Sequence, residues 1–309
     1  METSKKGFRH GLTRFKKQLG LQGMVIPWIV WAILFCYIPM CGIIIAFKDY
    51  RFADGIFGSE WVGLEHFKSF VSSPDFVKII RNTLGINILK ILFSFPLPII
   101  FTLLLNELRG KHVKRITQSV SYLPHFISWV IVAGIFSSFF SREGLLNNLL
   151  MQLHILDEPI MWQGEPWFFW PLMVITGTWK EMGWSAIIYI AALSSLNPEL
   201  LEAADVDGAS RWQKIIHIKL PSLMPTITVT LLFTLAGVFT AGFDQIFLFQ
   251  NSMVLDTAEV LDTYIYKTGL SNSLYSYAAA GGLFQSIINF IIIFFSNKMA
   301  KRINGVGLW

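Results

Sequence analysis

Six apolar runs, each long enough to cross a bilayer, constrain the fold of this 309-residue chain more than any other feature of its sequence. A membrane-spanning α-helix needs about 20 consecutive apolar residues. Only 15% of the residues are charged, whereas soluble domains usually carry about 25%. The expected spans cover about residues 24–47, 83–105, 118–140, 167–193, 221–249 and 278–296. The sequence therefore predicts an all-α polytopic membrane protein with six transmembrane helices.

Basic residues between the spans predict the orientation of the chain. If the N-terminus is cytoplasmic, 16 lysines and arginines lie on the cytoplasmic side and seven on the opposite side. This asymmetry satisfies the positive-inside rule, so we expect both termini in the cytoplasm. The net charge of +5 is then a signal of topology. The basic residues sit beside the spans without interleaved aromatic residues, which argues against nucleic-acid binding.

The predicted spans divide the chain into three regions. A basic cytoplasmic N-terminus covers residues 1–23, a transmembrane domain covers 24–298 and a short cytoplasmic tail covers 299–309. Within the transmembrane domain, one structured cytoplasmic loop covers about 195–220, and the outer loops cover about 48–82, 141–166 and 250–276.

Loop 195–220 has the local signals of a helix–turn–helix. Asn197 followed by Pro198 is typical of a helix start, and Gly208 can adopt the left-handed conformation that ends a helix. Ser210 can cap a second helix, which we expect to end at Pro221. A short helix with small residues on one face either docks into a groove of another protein or connects two spans, and these local signals leave both interpretations open.

Several polar side chains fall at membrane depth, where they are costly and often functional. They are Lys90, Lys180, Glu181, Asp244, Gln245, Gln285 and Asn289. Such residues either line a translocation path or form hydrogen bonds and ion pairs between helices. Gln285 and Asn289 are spaced to face one lumen, and Phe239 and Phe243 are spaced to share a helical face. The candidate substrate path comprises Phe239, Phe243, Asp244, Gln245, Gln285 and Asn289.

The chain lacks the sequence signals of catalysis. It contains no G-x-x-x-x-G-K-[ST] phosphate loop and no evident nucleophile–base pair or metal-ligand cluster, so we predict no catalytic residues, no cofactor and no metal. One alternative is an ion-coupled secondary transporter that uses Asp244, Glu181 and Lys180 as a relay, but no inverted repeat is evident. The other is a membrane-embedded enzyme or receptor, for which paired catalytic groups or a signalling domain are missing.

The loop also carries a motif, through which the chain resembles a known family. The inner-membrane permease subunits of binding-protein-dependent ABC importers share a cytoplasmic loop with a Glu-Ala-Ala start, a Gly six residues after the Glu and a late Leu-Pro. The matching residues here are Glu202, Ala203, Ala204, Asp207, Gly208, Ala209, Ile218, Leu220 and Pro221.

The similarity extends over nearly the whole chain to the carbohydrate-uptake branch of this family, which is related to the maltose permeases. The chain looks most like the LplB-like permeases for polysaccharide fragments and complex oligosaccharides. Similar stretches lie within residues 39–50, 61–64, 122–129, 183–189, 262–264 and 300–309.

The resemblance implies a type I ABC importer permease of the bacterial cell membrane that translocates an oligosaccharide or polysaccharide fragment. An extracellular sugar-binding lipoprotein would deliver the sugar, and a second homologous permease would complete the pathway within the membrane lipid. A cytoplasmic ABC ATPase dimer would supply the energy. It would receive the coupling residues Glu202, Ala203, Ala204, Asp207, Gly208 and Ala209.

Overall fold

The computed structural model describes residues 19–305 and 307–308, so most of the predicted N-terminal segment, residues 1–23, lies outside the described residues. The helices are α1 (Gly20–Phe47), α2 (Gly55–Gly58), α3 (Glu65–Val71), α4 (Phe76–Glu107), α5 (Lys111–Phe126), α6 (Trp129–Phe139), α7 (Leu145–Gln152), α8 (Pro166–Ser194), α9 (Pro198–Val206), α10 (Arg211–Ala236), α11 (Phe243–Phe249), α12 (Leu255–Ala258), α13 (Leu261–Tyr266) and α14 (Tyr275–Asn304). Two short strands, β1 (Lys48–Asp49) and β2 (Glu60–Trp61), pair in antiparallel fashion after α1. The all-α prediction is confirmed.

Four of the described helices are long and apolar enough to cross a membrane: α1, α4, α10 and α14. The pair α5 and α6, bent by 101°, makes a fifth span if the two helices count as one. Helix α8 covers the fourth predicted span over 29 residues. Lys180 and Glu181 lie at its middle and lower its mean hydropathy. Helix α8 is therefore not among the four described helices that are apolar enough to cross a membrane. The count of six spans and the cytoplasmic position of both termini stay predictions.

Helix α10 corrects the predicted end of the loop at Pro221. The helix does not end there but continues to Ala236. A π turn at Ile215–Lys219 directly precedes this proline, and another at Lys90–Ser94 precedes Pro96 in α4. A proline ring clashes with the carbonyl group four residues before it in a regular α-helix. The wider π turn changes the backbone at this place, so the helix continues through the proline.

The predicted spans 221–249 and 118–140 are both wrong as single helices. In the first, α10 ends at Ala236 and α11 begins only at Phe243, so residues 237–242 form a non-helical break. In the second, the chain turns between α5 and α6, where Ser128 is extended and its hydroxyl accepts a hydrogen bond from the Ile131 amide at 3.4 Å. This cap starts α6 in a new direction.

Helix α8 is the central element of the packing. It contacts α4, α5, α10, α11 and α12. Its buried Met173 belongs to an apolar cluster with Ile246 of α11, and its buried Leu193 belongs to a second cluster with Ile215 of α10. Gly183 permits the close approach of α5, because a Cβ atom there would lie 2.0 Å from the Ser121 carbonyl oxygen.

Helix α1 is the least buried of the four described helices that are long and apolar enough to cross a membrane. Only 6% of its most apolar 18-residue window is buried, and Trp28, for example, is 72% exposed. Its C-terminal end, Cys41–Phe47, packs against α14. A helix that is apolar all round belongs in lipid or against another membrane protein, so the composition and exposure of α1 agree with a membrane location.

Candidate translocation cavity and coupling loop

Two cavities with shared walls lie against the middle of α8. The larger has a volume of about 440 Å³ and lies between α4, α8 and α10. The smaller, of about 390 Å³, lies between α4, α6, α8 and α11. Lys90, Ser94, Gly177 and Glu181 line both, so the cavities meet at these residues. Each is large enough for a small organic ligand, since ligand sites measure roughly 300–1,000 Å³.

Three residues of the predicted path line the smaller cavity: Phe243, Asp244 and Gln245. Asp244 is exposed, and Phe243 stacks on Phe247 with 5.1 Å between ring centroids. Gln245 is buried, and its Nε2 donates hydrogen bonds to the Met173 carbonyl oxygen at 2.7 Å and to the Thr176 hydroxyl at 2.8 Å. Gln245 therefore fixes α11 against α8. Its neighbours Phe243 and Asp244 lie at the cavity wall.

Two other predicted path residues, Gln285 and Asn289, hold the break at 237–242. The Asn289 side-chain oxygen accepts a hydrogen bond from the Phe239 amide at 3.1 Å, and Gln285 Nε2 donates to the Phe239 carbonyl oxygen at 2.7 Å. Gln285 also donates to Asp262 Oδ1 at 2.7 Å, while Asp262 Oδ2 accepts from the Ala241 amide at 2.8 Å. These contacts satisfy backbone groups that the broken helix leaves unpaired, as non-helical backbone at membrane depth requires.

Lys90, which lines both cavities, reaches the same break from α4. Its ammonium group donates to the Ala241 carbonyl oxygen at 2.8 Å and to Gln245 Oε1 at 2.9 Å. Ala241 is thus held on its carbonyl side by a cation and on its amide side by Asp262. The break is a built feature whose conformation is set by three other segments of the chain.

Phe239 does not share a helical face with Phe243, because the helix that the spacing assumes is interrupted between them. Phe239 is buried in an apolar cluster with Phe70 and Leu261, whereas Phe243 faces the smaller cavity. The prediction of a shared aromatic face is therefore wrong. The membership of the six candidate residues in a substrate path stays a prediction.

A cluster around His125 was missed by the reasoning from sequence. His125 Nδ1 lies 2.7 Å from Glu181 Oε2, and its ring is stacked on Trp184 with 4.2 Å between centroids. Buried Lys180 donates to the His125 carbonyl oxygen at 2.5 Å and to the Pro124 carbonyl oxygen at 3.3 Å. Lys180 thereby pairs carbonyl groups that the end of α5 leaves free. The signal in the sequence was the charged pair 180–181, but its partner lies 55 residues earlier.

The coupling loop, residues 195–220, has the helix caps and the left-handed glycine that its sequence predicts. The Asn197 side chain accepts a hydrogen bond from the Glu199 amide at 3.1 Å and so caps α9. Gly208 has φ +74°, the left-handed conformation expected of it. Ser210 and Gln213 form a reciprocal capping box at the start of α10, with bonds of 3.3 and 2.7 Å. These devices make the loop a rigid helical hairpin.

The surface of the coupling loop is open. Among the six predicted coupling residues, Glu202, Ala203, Asp207 and Gly208 are exposed, and the other two, Ala204 and Ala209, are half-buried. Val206, at the end of α9, is 88% exposed. The described part of the chain therefore leaves most of the coupling residues uncovered.

Two ion pairs hold the coupling loop. Within the loop, Lys214 of α10 pairs with Asp205 of α9, whose side chain is 61% exposed. One turn further on, Lys219 pairs with Glu107 at the C-terminal end of α4, and its ammonium group also donates to Asn106 Oδ1 at 2.6 Å. Only 8% of the Lys219 side chain is exposed. Polar contacts through α10 therefore connect α9 to the C-terminal end of α4.

Comparison with known proteins identifies the family of this chain. Residues 94–305 match the family described as binding-protein-dependent transport system inner membrane component. The chain belongs to this family. It is therefore a transport permease and a multi-pass protein of the cell membrane. Its Glu-Ala-Ala loop is typical of the family.

The permease is similar over almost its whole length to sugar-transport proteins. It is 40% identical over 299 residues to protein LplB of Bacillus subtilis (strain 168), a match that covers 96% of this chain and 93% of LplB. It is 38% identical over 298 residues to the polygalacturonan/rhamnogalacturonan transport system permease protein YteP of the same organism, covering 96% of this chain and 92% of YteP.

A solved structure gives the same result for the fold. The permease matches a chain in the crystal structure of a bacterial alginate ABC transporter in complex with alginate pentasaccharide-bound periplasmic protein. The TM-score is 0.88 with 39% sequence identity, over 96% of this chain and 99% of that chain. The predicted type I permease fold is confirmed.

Proposed function

We propose that this permease carries an oligosaccharide or polysaccharide fragment across the cell membrane, with ATP hydrolysed by separate subunits. The observation that carries the proposal is the match over 96% of the chain to sugar-transport permeases and to a chain of the alginate transporter. In that transporter the sugar-bound partner is a periplasmic protein. By analogy, an extracellular sugar-binding lipoprotein delivers the sugar here, and a second homologous permease completes the pathway.

The proposed topology has six spans, both termini in the cytoplasm and the domain boundaries 23/24 and 298/299. The distribution of basic residues supports it, and α8 together with the bent pair α5–α6 supplies the two spans beyond α1, α4, α10 and α14. In this orientation the coupling loop 195–220 lies in the cytoplasm. The outer loops 48–82, 141–166 and 250–276 face the binding protein.

The proposed substrate path runs along the two cavities beside α8. Phe243, Asp244 and Gln245 lie at the wall, and Phe239, Gln285 and Asn289 contribute by shaping the break that carries this wall. Hydroxyl groups and aromatic rings suit a sugar, which presents both hydroxyls and an apolar ring face. The second permease would close the open side of the cavities.

The proposed energy input is the coupling loop. The exposed residues Glu202, Ala203, Asp207 and Gly208, with Ala204 and Ala209 beneath them, would enter a cleft of the ATPase dimer. The chain itself would hydrolyse no ATP and perform no other catalysis, in agreement with the absence of a phosphate loop from its sequence. An ATPase-driven movement of α9 would then tilt α10 and the spans packed on it.

Reconstitution with the ATPase, the second permease and the loaded binding protein tests this function. Gly208→Val places a β-branched residue in a left-handed turn and a bulkier side chain on the docking surface, although the Cβ itself meets open space. Uptake should fall by about tenfold or more, the scale of a coupling free energy of ~1–3 kcal/mol. The variant should still insert and assemble with its partners. Ala203→Glu should behave in the same way.

Gly110→Val is the matched control, because Gly110 also has positive φ and open space around it but lies outside the coupling loop. Its uptake should stay near that of the unmodified permease. Equal losses in the Gly110 and Gly208 variants would remove the docking role. Uptake that continues without ATP and stops when an ion gradient is collapsed would overturn ATP-driven transport in favour of an ion-coupled carrier.

A further inference from the structure

Trp184 and Glu181 stand together on the wall of the larger cavity. They are three residues apart on α8, so their side chains lie on one face of the helix, and both line the cavity of about 440 Å³. Trp184 is 43% exposed and the Glu181 side chain 41% exposed. Neither was among the candidate path residues. An aromatic ring and a carboxylate on one wall present two kinds of contact to a single ligand.

His125 fixes both side chains. Its ring is stacked on the Trp184 indole at a centroid distance of 4.2 Å and an interplanar angle of 2°. The same ring places Nδ1 2.7 Å from Glu181 Oε2. His125 is itself held through its carbonyl oxygen by buried Lys180. A site whose side chains are positioned before the ligand arrives loses less side-chain entropy on binding.

This support leaves a portion of each group free. His125 covers one face of the indole, and Phe126 packs against it in a T-shaped arrangement with 5.7 Å between ring centroids. The face opposite His125 is then the surface that the indole offers to a ligand in the cavity. Glu181 Oε2 faces His125, while Oε1 lies 3.7 Å from Lys180 Nζ. A carboxylate has about four acceptor positions in total, so Glu181 retains capacity to accept hydrogen bonds from hydroxyl groups.

The other walls of the larger cavity, on α4, α8 and α10, carry hydroxyl groups. Ser94 and Thr178 form one hydroxyl pair at 2.6 Å, and Tyr189 and Thr230 form another at 2.8 Å. Lys90 adds an ammonium group. Hydroxyl pairs can exchange their mutual bond for bonds to a ligand, because each is both donor and acceptor. A wholly apolar ligand would take water from these polar groups without forming hydrogen bonds to them, at a cost in desolvation.

We propose that Trp184 and Glu181 form a subsite for a sugar ring within the larger cavity. The indole stacks on the apolar face of the ring, and the carboxylate accepts hydrogen bonds from hydroxyls at its edge. The subsite rests on the proposed function, since it assigns a contact along the path of the transported sugar. It places this contact on α8, where Glu181 also lines the smaller cavity opposite the predicted residues of α11.

The test is uptake by the reconstituted transporter as a function of the concentration of loaded binding protein, with alginate, galacturonan and arabinan oligosaccharides as probes. Trp184→Ala should lower uptake of a transported probe by about 2- to 10-fold, the range that corresponds to a lost ring contact of ~0.5–1.5 kcal/mol. Trp184→Phe should recover some of the loss because it keeps an aromatic face. Glu181→Gln should lower uptake while keeping the shape of the side chain.

Trp179→Ala is the matched control. Trp179 lies on the same helix, is 40% exposed and packs on Phe136, but it lines neither described cavity. Its uptake, assembly and basal ATPase activity should all stay near those of the unmodified permease. Equal effects of Trp179→Ala and Trp184→Ala would overturn the subsite while sugar transport still stands. If the unmodified transporter imports none of the probes, the proposed function and the subsite both fail.

Discussion

Replacing Lys219 by methionine should destabilise the permease strongly, because it removes one partner of a buried ion pair. Lys219 exposes 8% of its side chain and Glu107 exposes 25%. The variant would leave the Glu107 carboxylate and the Asn106 side-chain oxygen without their shared donor. Breaking a fully buried pair costs about 3–5 kcal/mol. Since Glu107 keeps some contact with water, we expect the low end, about 3 kcal/mol.

Thermal unfolding of the purified permease in detergent, followed by tryptophan fluorescence, measures this cost. A loss of about 3 kcal/mol corresponds to a Tm lower by roughly 5 °C for 309 residues, because the entropy of unfolding is about 2.1 cal/mol/K per residue. Lys214→Met is the matched control on the same helix, because its partner Asp205 is 61% exposed and surface pairs contribute only about 0–1 kcal/mol. Its Tm should change by at most about 2 °C.

A double variant separates the loss of the pair from the loss of a side chain. Lys219→Met combined with Glu107→Leu removes both charges, and buried ion pairs replaced by apolar residues are often neutral in stability. We expect the double variant to regain most of the lost Tm. The reasoning is refuted if Lys219→Met and Lys214→Met lower the Tm equally, or if the double variant is less stable than the Lys219 variant alone.

Two further substitutions probe the packing of α8 and the break. Gly183→Ala should lower the amount of folded protein, because its Cβ would lie 2.0 Å from the Ser121 carbonyl oxygen. The control is Gly134→Ala, whose Cβ meets nothing within 4 Å. Fluorescence-detected gel filtration compares the two variants, and equal elution profiles would contradict the close approach of α5 and α8. Gln285→Ala should lower the Tm, because it leaves the Phe239 carbonyl oxygen and Asp262 Oδ1 without this donor, at a cost of about 1–3 kcal/mol in stability. The control Ser286→Ala removes only a hydrogen bond within its own helix. Equal unfolding curves of the two variants would show that Gln285 does not hold the break.

Local features of the coupling loop were predictable because their causes are local. A helix cap depends on a side chain and a backbone amide two or three residues away, as with Asn197 and Glu199 or Ser210 and Gln213. The left-handed conformation of Gly208 follows from its lack of a Cβ atom. Such signals lie within one short window of sequence.

The break at 237–242 was not predictable by the same reasoning. The segment is apolar and contains no proline, so hydropathy predicts an uninterrupted span. The groups that stabilise the break come from Lys90, Asp262, Gln285 and Asn289. Their positions in the chain reveal nothing of this convergence until the helices are packed.

The polar residues at membrane depth illustrate the limit of composition as a guide to function. Their expense in the membrane marks them as important, but not whether they face a cavity or a backbone group. Asp244 and Glu181 line a cavity, while Gln285 and Asn289 bind the break. Whether a polar side chain faces a cavity or binds a backbone group depends on whether the neighbouring helix is continuous. The sequence around the polar residue does not contain this information.

The exposure of α1 has a consequence for the biogenesis of the subunit. Because so little of this helix is buried by its own chain, its direction in the bilayer is set chiefly by lipid until a partner packs beside it. Until then, α1 presents nearly all of its surface before Cys41 to lipid, and its C-terminal end alone is anchored on α14. Assembly with a second membrane protein would cover this surface and fix the position of the helix.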